Sequence, residues 1–150
     1  MESDRVARMQ GWGLTMLRVV VGIVFFVHGL QKLFVMGFGG VAGMMDGLGV
    51  PAPGLFAIIL TLVELLGGLA LILGLFTRIA AIPLAVDMLV ATLTVHLPNG
   101  FFTVPNGGYE FTLVLMAASV ALAIAGPGEA ALDRFLAMRT NNPALARLTR

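Results

Sequence analysis

The sequence has no cysteine among its 150 residues, a single tryptophan, a single tyrosine, and only 11% charged side chains. The missing cysteines exclude disulfides, thiolate metal sites and covalent thiol chemistry within the chain. The shortage of charge excludes more. Soluble domains carry roughly 25% charged residues, so this chain cannot coat a globule with solvated groups. A net charge of +1 and the lack of a basic groove-reading motif leave nucleic acid without electrostatic footing as a partner. What is plentiful is apolar: 59% hydrophobic residues, 19 glycines and nine methionines, with a mean hydropathy of +0.99. Glycine is commoner in membrane helices than in soluble ones. The composition therefore predicts an all-α, polytopic membrane protein.

A membrane helix needs about 20 mainly apolar residues, and four segments qualify, near 14–34, 55–75, 79–97 and 109–125. Glycine, proline and asparagine punctuate the breaks: Gly49, Pro51, Pro53 and Gly54 before the second, Pro98, Asn99, Gly100, Pro105 and Asn106 before the fourth. Gly126 and Pro127 end the last. Arg5 and Arg8 ahead of an apolar stretch imitate a secretory signal. That stretch is long, is interrupted by Arg18 and shows no small-x-small cleavage site, so a retained span is expected. Arg5, Arg8, Arg18, Arg78, Arg134, Arg139, Arg147 and Arg150 collect on one side of this topology, against Lys32 on the other, which predicts cytoplasmic termini in a bacterial inner membrane.

In the first outer loop, Val41, Met44, Met45 and Leu48 recur at helical spacing, which predicts a short interfacial or re-entrant helix. Another short amphipathic helix is expected over about 129–138. The expectation is one membrane domain over 1–138 and a flexible cytoplasmic tail over 139–150.

Within or beside the spans lie Arg18, His28, Lys32, Glu64, Asp87, His96 and Glu110. Ionisable groups at membrane depth face a bundle interior or a cavity. His28 and Lys32 are four residues apart, and Arg18 and Lys32 fourteen, so each pair falls within roughly 40° of one helix face. Gly22 and Gly29 lie on or beside that stripe, where another helix or a ligand can approach. Gly67 and Gly68 flank Glu64 in the same way. Ala81 with Ala85, and Ala117 with Ala121 and Ala125, suggest packed faces on the last two spans. Asp87 and His96 are nine apart, roughly 180° around an ideal helix, so they share a site only if the helix end departs from ideality.

Each of these residues has a plain reading beside a functional one. Lys32 and Glu110 lie where side chains snorkel to headgroups; Arg18 can do the same, or pair with an acid. Two histidines without a third ligand are a poor metal site, and no metal ligands are assigned. Glu64 and Asp87, near the midplane, are either one half of a structural ion pair or proton-handling groups. No catalytic residue is assigned. Arg18, His28, Lys32, His96 and Glu110 are ligand-binding candidates.

The ordered run "LRVVVGIVFFVHGLQKLF", "GGVAGMMDGLGVPAP", "VELLGGLALILGLFTRIAAIPLA", "YEFTLVLMAASVAL" and "GPGEAALD" resembles the DoxX family of small bacterial membrane proteins, over roughly residues 14 to 135. Arg18, His28, Lys32, Glu64, Arg78 and Glu110 match positions of that pattern; Asp87 is not assigned to it. The resemblance implies a four-helix membrane bundle, and a role as a quinone-reducing membrane part of thiosulfate oxidation or as a membrane partner of redox and detoxification proteins. The expected function is thus a quinone-interacting or accessory membrane subunit of a redox system, with a quinone as possible non-covalent cofactor and a soluble or membrane redox protein as partner. A non-catalytic scaffold for an oxidoreductase, or a small proton or solute transporter, is the alternative. Small-residue helix faces also make a homo-oligomer reasonable.

Overall fold

In a computed structural model, which describes residues 1–139 and side chains as far as Phe135, the chain is helical from Glu2 and contains no strand among the described residues. Helix α1 covers Glu2–Leu30 and passes through a π-helical turn, Gln31–Met36, into α2, Gly37–Gly47. Gly37 adopts φ +67°, a left-handed region open to glycine, and there the chain bends away from the axis of α1. Helix α3 covers Pro53–Leu73, α4 Thr77–Ala91, α5 Glu110–Ala125 and α6 Leu132–Arg139. The end of α4 continues through a second π-helical turn, Thr92–His96. The segments α1–α2, α3 and the extended α4 are long and apolar enough to cross a membrane, and α5 is a shorter apolar helix. The expected tail beyond Arg139 lies outside the described residues.

Local chemistry sets the boundaries. Pro53 opens α3, where the amide hydrogen it lacks would have no partner. Gly74 closes it in the left-handed conformation, with Leu75 N–H donating to Ala70 O at 2.9 Å and Gly74 N–H to Leu71 O at 3.2 Å, a Schellman cap.

Side-chain placement is inverted relative to a soluble bundle. Large apolar residues such as Val20, Ile23, Val27, Leu62, Leu66, Val86 and Val114 are exposed, as lipid-facing positions require, while Arg18, Glu64, Thr61, Ser119 and Asp133 are buried. The core is Val21, Phe25, Leu71, Ala81, Leu84, Met88, Leu115 and Leu122. Helices α1 and α3 pack almost backbone to backbone. A Cβ added at Gly22 would lie 2.8 Å from Gly68 O, one at Gly29 would lie 2.6 Å from Leu65 N, and one at Gly68 would collide with the Phe26 backbone. The glycine spacing on the first two spans predicts this contact.

The alanine stripe on the fourth span behaves differently. Ala117, Ala121 and Ala125 are exposed, and α5 instead buries Thr112, Leu115, Ser119 and Leu122. Thr112 and Ser119 carry hydroxyls that are costly in lipid, and turning them inward puts the alanines outside, where they cost nothing.

The α5–α6 connection straps across the end of the bundle that carries the N-terminal part of α1. Glu129 N–H and Ala130 N–H donate to Thr15 Oγ1 at 2.9 and 3.2 Å, and Arg18 Nη2 donates to Ala130 O at 2.5 Å. Arg78 donates to the carbonyls of Ala123 and Ile124, which the end of α5 leaves without helical partners. Both ends of the described chain therefore lie at one end of the bundle.

The glycine contact makes a measurable distinction. Gly68→Ala is expected to lower stability by about 1–3 kcal/mol through overpacking. Gly43→Ala, on α2 with open space around it, is expected to be neutral or to gain up to about 1 kcal/mol. Thermal unfolding in detergent reads both, and equal effects would contradict the packing described.

Candidate functional site

Beyond the glycine contact, α1 and α3 carry opposite charges. Lys32 projects from the π-helical turn and donates from Nζ to Glu64 Oε2 at 2.6 Å, with 14% and 4% of the two side chains exposed. The Gly29–Leu65 backbone approach lies about one turn from Lys32 and directly beside Glu64 in the chain, so it sets the short span that the pair bridges. Asp87, from α4, stands beside Glu64 and within electrostatic reach of Lys32. Its Oδ2 is buried, and the neighbouring Glu64 carboxyl can hydrogen-bond it only when one of the two carries a proton. Two carboxyls beside one ammonium leave the group one positive charge short of neutral, a deficit equal to one proton.

These three residues line a cavity of about 300 Å³ together with His28 and His96. Phe25, Met88 and Leu115 belong both to its lining and to the core beneath it, while Met36, Met44, Met45 and Leu48, from the π-helical turn and from α2 and its end, contribute the other side. The predicted stripe on α2 thus divides: Val41 is buried, and Met44, Met45 and Leu48 turn to the cavity. Thioether side chains adapt their shape to a ligand more readily than branched ones.

The two histidines are oriented by backbone carbonyls. His28 Nδ1 lies 2.8 Å from Val24 O and His96 Nδ1 lies 2.6 Å from Gly107 O. A carbonyl only accepts, so each Nδ1 carries the proton and each Nε2 is an acceptor in the neutral ring. The half-turn that separates Asp87 from His96 on an ideal helix is closed by the π-helical turn Thr92–His96, which turns less per residue and brings both to one cavity. At the same level Thr92 Oγ1 donates to Thr112 Oγ1 at 2.8 Å, tying α4 to α5.

Of the seven sequence candidates, His28, Lys32, Glu64, Asp87 and His96 converge on this cavity, and two are elsewhere. Glu110 Oε1 accepts the amide of Thr103 at 2.8 Å and organises the preceding loop. Arg18, fourteen residues or roughly 21 Å along the helix from Lys32, is 1% exposed at the opposite end. There it lies against Gly74, bonds Ala130 O and faces Asp133. Sequence reasoning overlooked Thr94 and Thr112 in the cavity wall and the role of Asp133, whose Oδ2 accepts the Thr77 amide at 3.4 Å while its own amide bonds Gly74 O at 3.0 Å. The Asp133 signal was present in the run "GPGEAALD"; the threonines look like ordinary spanning residues. Among the described residues, no three His, Asp or Glu side chains are arranged to hold a metal ion.

Removing one partner of a buried ion pair leaves the other uncompensated, at a cost of about 3–5 kcal/mol. Lys32→Met and Glu64→Gln should therefore each destabilise the protein, and the two together should recover a large part of the loss. A double-mutant cycle on thermal unfolding measures this, and purely additive effects would contradict a direct pair.

Comparison with known proteins identifies the family. The DoxX family model matches residues 13–97. "Putative oxidoreductase CatD" of Bacillus subtilis is 37% identical over 125 residues, covering 83% of this chain and 87% of that protein. "Uncharacterized membrane protein Rv3486" of Mycobacterium tuberculosis is 34% identical, covering 82% and 80%. "Inner membrane protein YphA" of Escherichia coli is 33% identical, covering 81% and 88%. No solved structure matches the chain. The matched segment contains α1 from residue 13 onward, α2, α3, α4 and every ionisable residue of the cavity, and the chain belongs to the DoxX family of multi-pass inner-membrane proteins.

Proposed function

We propose that the cavity receives the headgroup of a membrane quinone and that the protein is the quinone-interacting membrane subunit of a redox system. The observation that carries this reading is the Lys32–Glu64 pair with the buried Asp87 carboxyl beside it, set in a mainly apolar cavity. Small-molecule sites have this construction, with largely hydrophobic walls and a few convergent polar groups. At about 300 Å³ the space suits one ring headgroup.

The residues fit such a group. Lys32 has three ammonium hydrogens, of which Glu64 takes one, so it can donate to a ring carbonyl. His96 Nε2 and Asp87 Oδ2 accept from a ring hydroxyl. A bound quinone supplies two-electron redox chemistry coupled to proton uptake and release. The side chains here hold and move protons: Asp87 and Glu64 share one, and Lys32 keeps the pair charged and oriented. Electrons come from a partner oxidoreductase or a soluble donor, in keeping with the word "oxidoreductase" in the name of the Bacillus relative. A small anion such as thiosulfate is a poor ligand for this cavity, because Glu64 and Asp87 already surround Lys32.

Equilibrium binding of a radiolabelled short-chain quinone analogue to the protein in lipid nanodiscs tests the reading. Saturable binding is expected, weakened at least tenfold, or about 1.4 kcal/mol, by Asp87→Asn and by Lys32→Ala. Binding no greater than partition into empty nanodiscs would overturn it. Binding unchanged in both variants would place the ligand elsewhere and favour an inert scaffold.

A further inference from the structure

We propose that the Lys32–Glu64–Asp87 cavity is a one-ended chamber, exchanging ligand and protons only through the end of the bundle opposite the termini. This concerns access and stands on packing alone, so it survives or falls separately from the identity of the ligand.

Two layers close the chamber on the side of the termini. Directly beneath its floor, all four spanning helices meet in apolar contact. Leu71, Ala81, Leu84 and Leu122 are fully buried, and Val21 is nearly so. The backbone contacts at Gly22 and Gly68 leave no space between α1 and α3 at that level, and Leu84 presses on Gly67. Ser119 is the one hydroxyl side chain of α5 in that layer, and its buried Oγ bonds no other side chain, so among the described residues it links the chamber to nothing beyond the layer.

The second layer is the strap between α5 and α6. Gly126, Pro127 and Gly128 are buried. A Cβ at Gly128 would lie 2.5 Å from Gly11 O and 2.6 Å from Thr15 Oγ1, so the strap is seated directly on α1. Arg18 and Asp133, both 1% exposed, anchor it from either side. Arg18 Nε and Nη1 and Thr77 Oγ1 are buried without partners within the protein, and they lie on the far side of the apolar layer from Asp87. The molecule thus has two separate polar compartments rather than one polar channel.

The other end of the chamber is built differently. His28, Met44, Leu48, Thr94 and Phe111 line the cavity and are also exposed. Helix α2, which forms part of this side, is fully buried only at Val41. In this conformation the arrangement gives ligand and proton exchange a single side. The distribution of arginine and lysine assigns that side to the periplasm.

The natural absence of cysteine makes the test direct. Single substitutions Ala91→Cys and Thr94→Cys in the cavity wall, Ala81→Cys and Ser119→Cys in the apolar layer, and Ser3→Cys near the N-terminus are treated with a membrane-impermeant thiosulfonate. The full-length protein is labelled in right-side-out and in inverted membrane vesicles. Ala91→Cys and Thr94→Cys should react only from the face opposite the one that labels Ser3→Cys, and Ala81→Cys and Ser119→Cys from neither. Reaction of Ala91→Cys or Thr94→Cys from the Ser3 face, or of either apolar-layer variant, would overturn the proposal. So would failure of both cavity variants to react from either face. One-sided labelling without quinone binding would retain the chamber and discard the quinone.

Discussion

The rest of the structure depends on the close approach of α1 and α3. Gly22, Gly29 and Gly68 remove the side chains that would hold the helices apart, and only then can Lys32 reach Glu64 at 2.6 Å. In a membrane the usual hydrophobic drive for helix association is missing, and packing of small residues takes its place. A buried ion pair is a weak source of stability, since desolvation offsets much of its attraction. Its effect is selective: a register shift along the glycine seam would leave an ammonium and a carboxylate unpaired at membrane depth. The glycines supply contact, and the pair supplies register.

That contact also shapes the cavity. Bringing α1 and α3 together places Lys32 and Glu64 at one wall, and α4 brings Asp87 against them. The two π-helical turns, Gln31–Met36 and Thr92–His96, lie where α1 and α4 border the cavity. Such turns are frequent at functional sites because they rotate side chains out of the regular helical sequence. Here one carries Lys32 and the other carries His96. The opposite end of the bundle is organised around Arg18, whose role is to hold the α5–α6 strap.

Much of this was legible in the sequence. Four spans, the glycine seam and the burial of Glu64 follow from spacing and from the expense of charge in lipid. The π-helical turns were not legible, because neither "QKLFVM" nor "TLTVH" contains a proline or glycine break. The apparent opposition of Asp87 and His96 was therefore a consequence of assuming 100° per residue. Arg18 shared a stripe with Lys32 yet was expected at the opposite side of the membrane, and the roughly 21 Å between them keeps it out of the cavity. The alanine stripe of α5 misled for a related reason. Spacing identifies a face but not whether lipid or protein covers it, and the hydroxyls of Thr112 and Ser119 were the better guide.

In the proposed function, Lys32, Glu64 and Asp87 touch the ligand directly. Infrared difference spectroscopy on the protein in lipid, with and without a saturating quinone analogue, tests this most directly. The account predicts a ligand-induced change in the carboxylic acid C=O stretching band that vanishes in Asp87→Asn. A saturably bound analogue that leaves this band unchanged would contradict it.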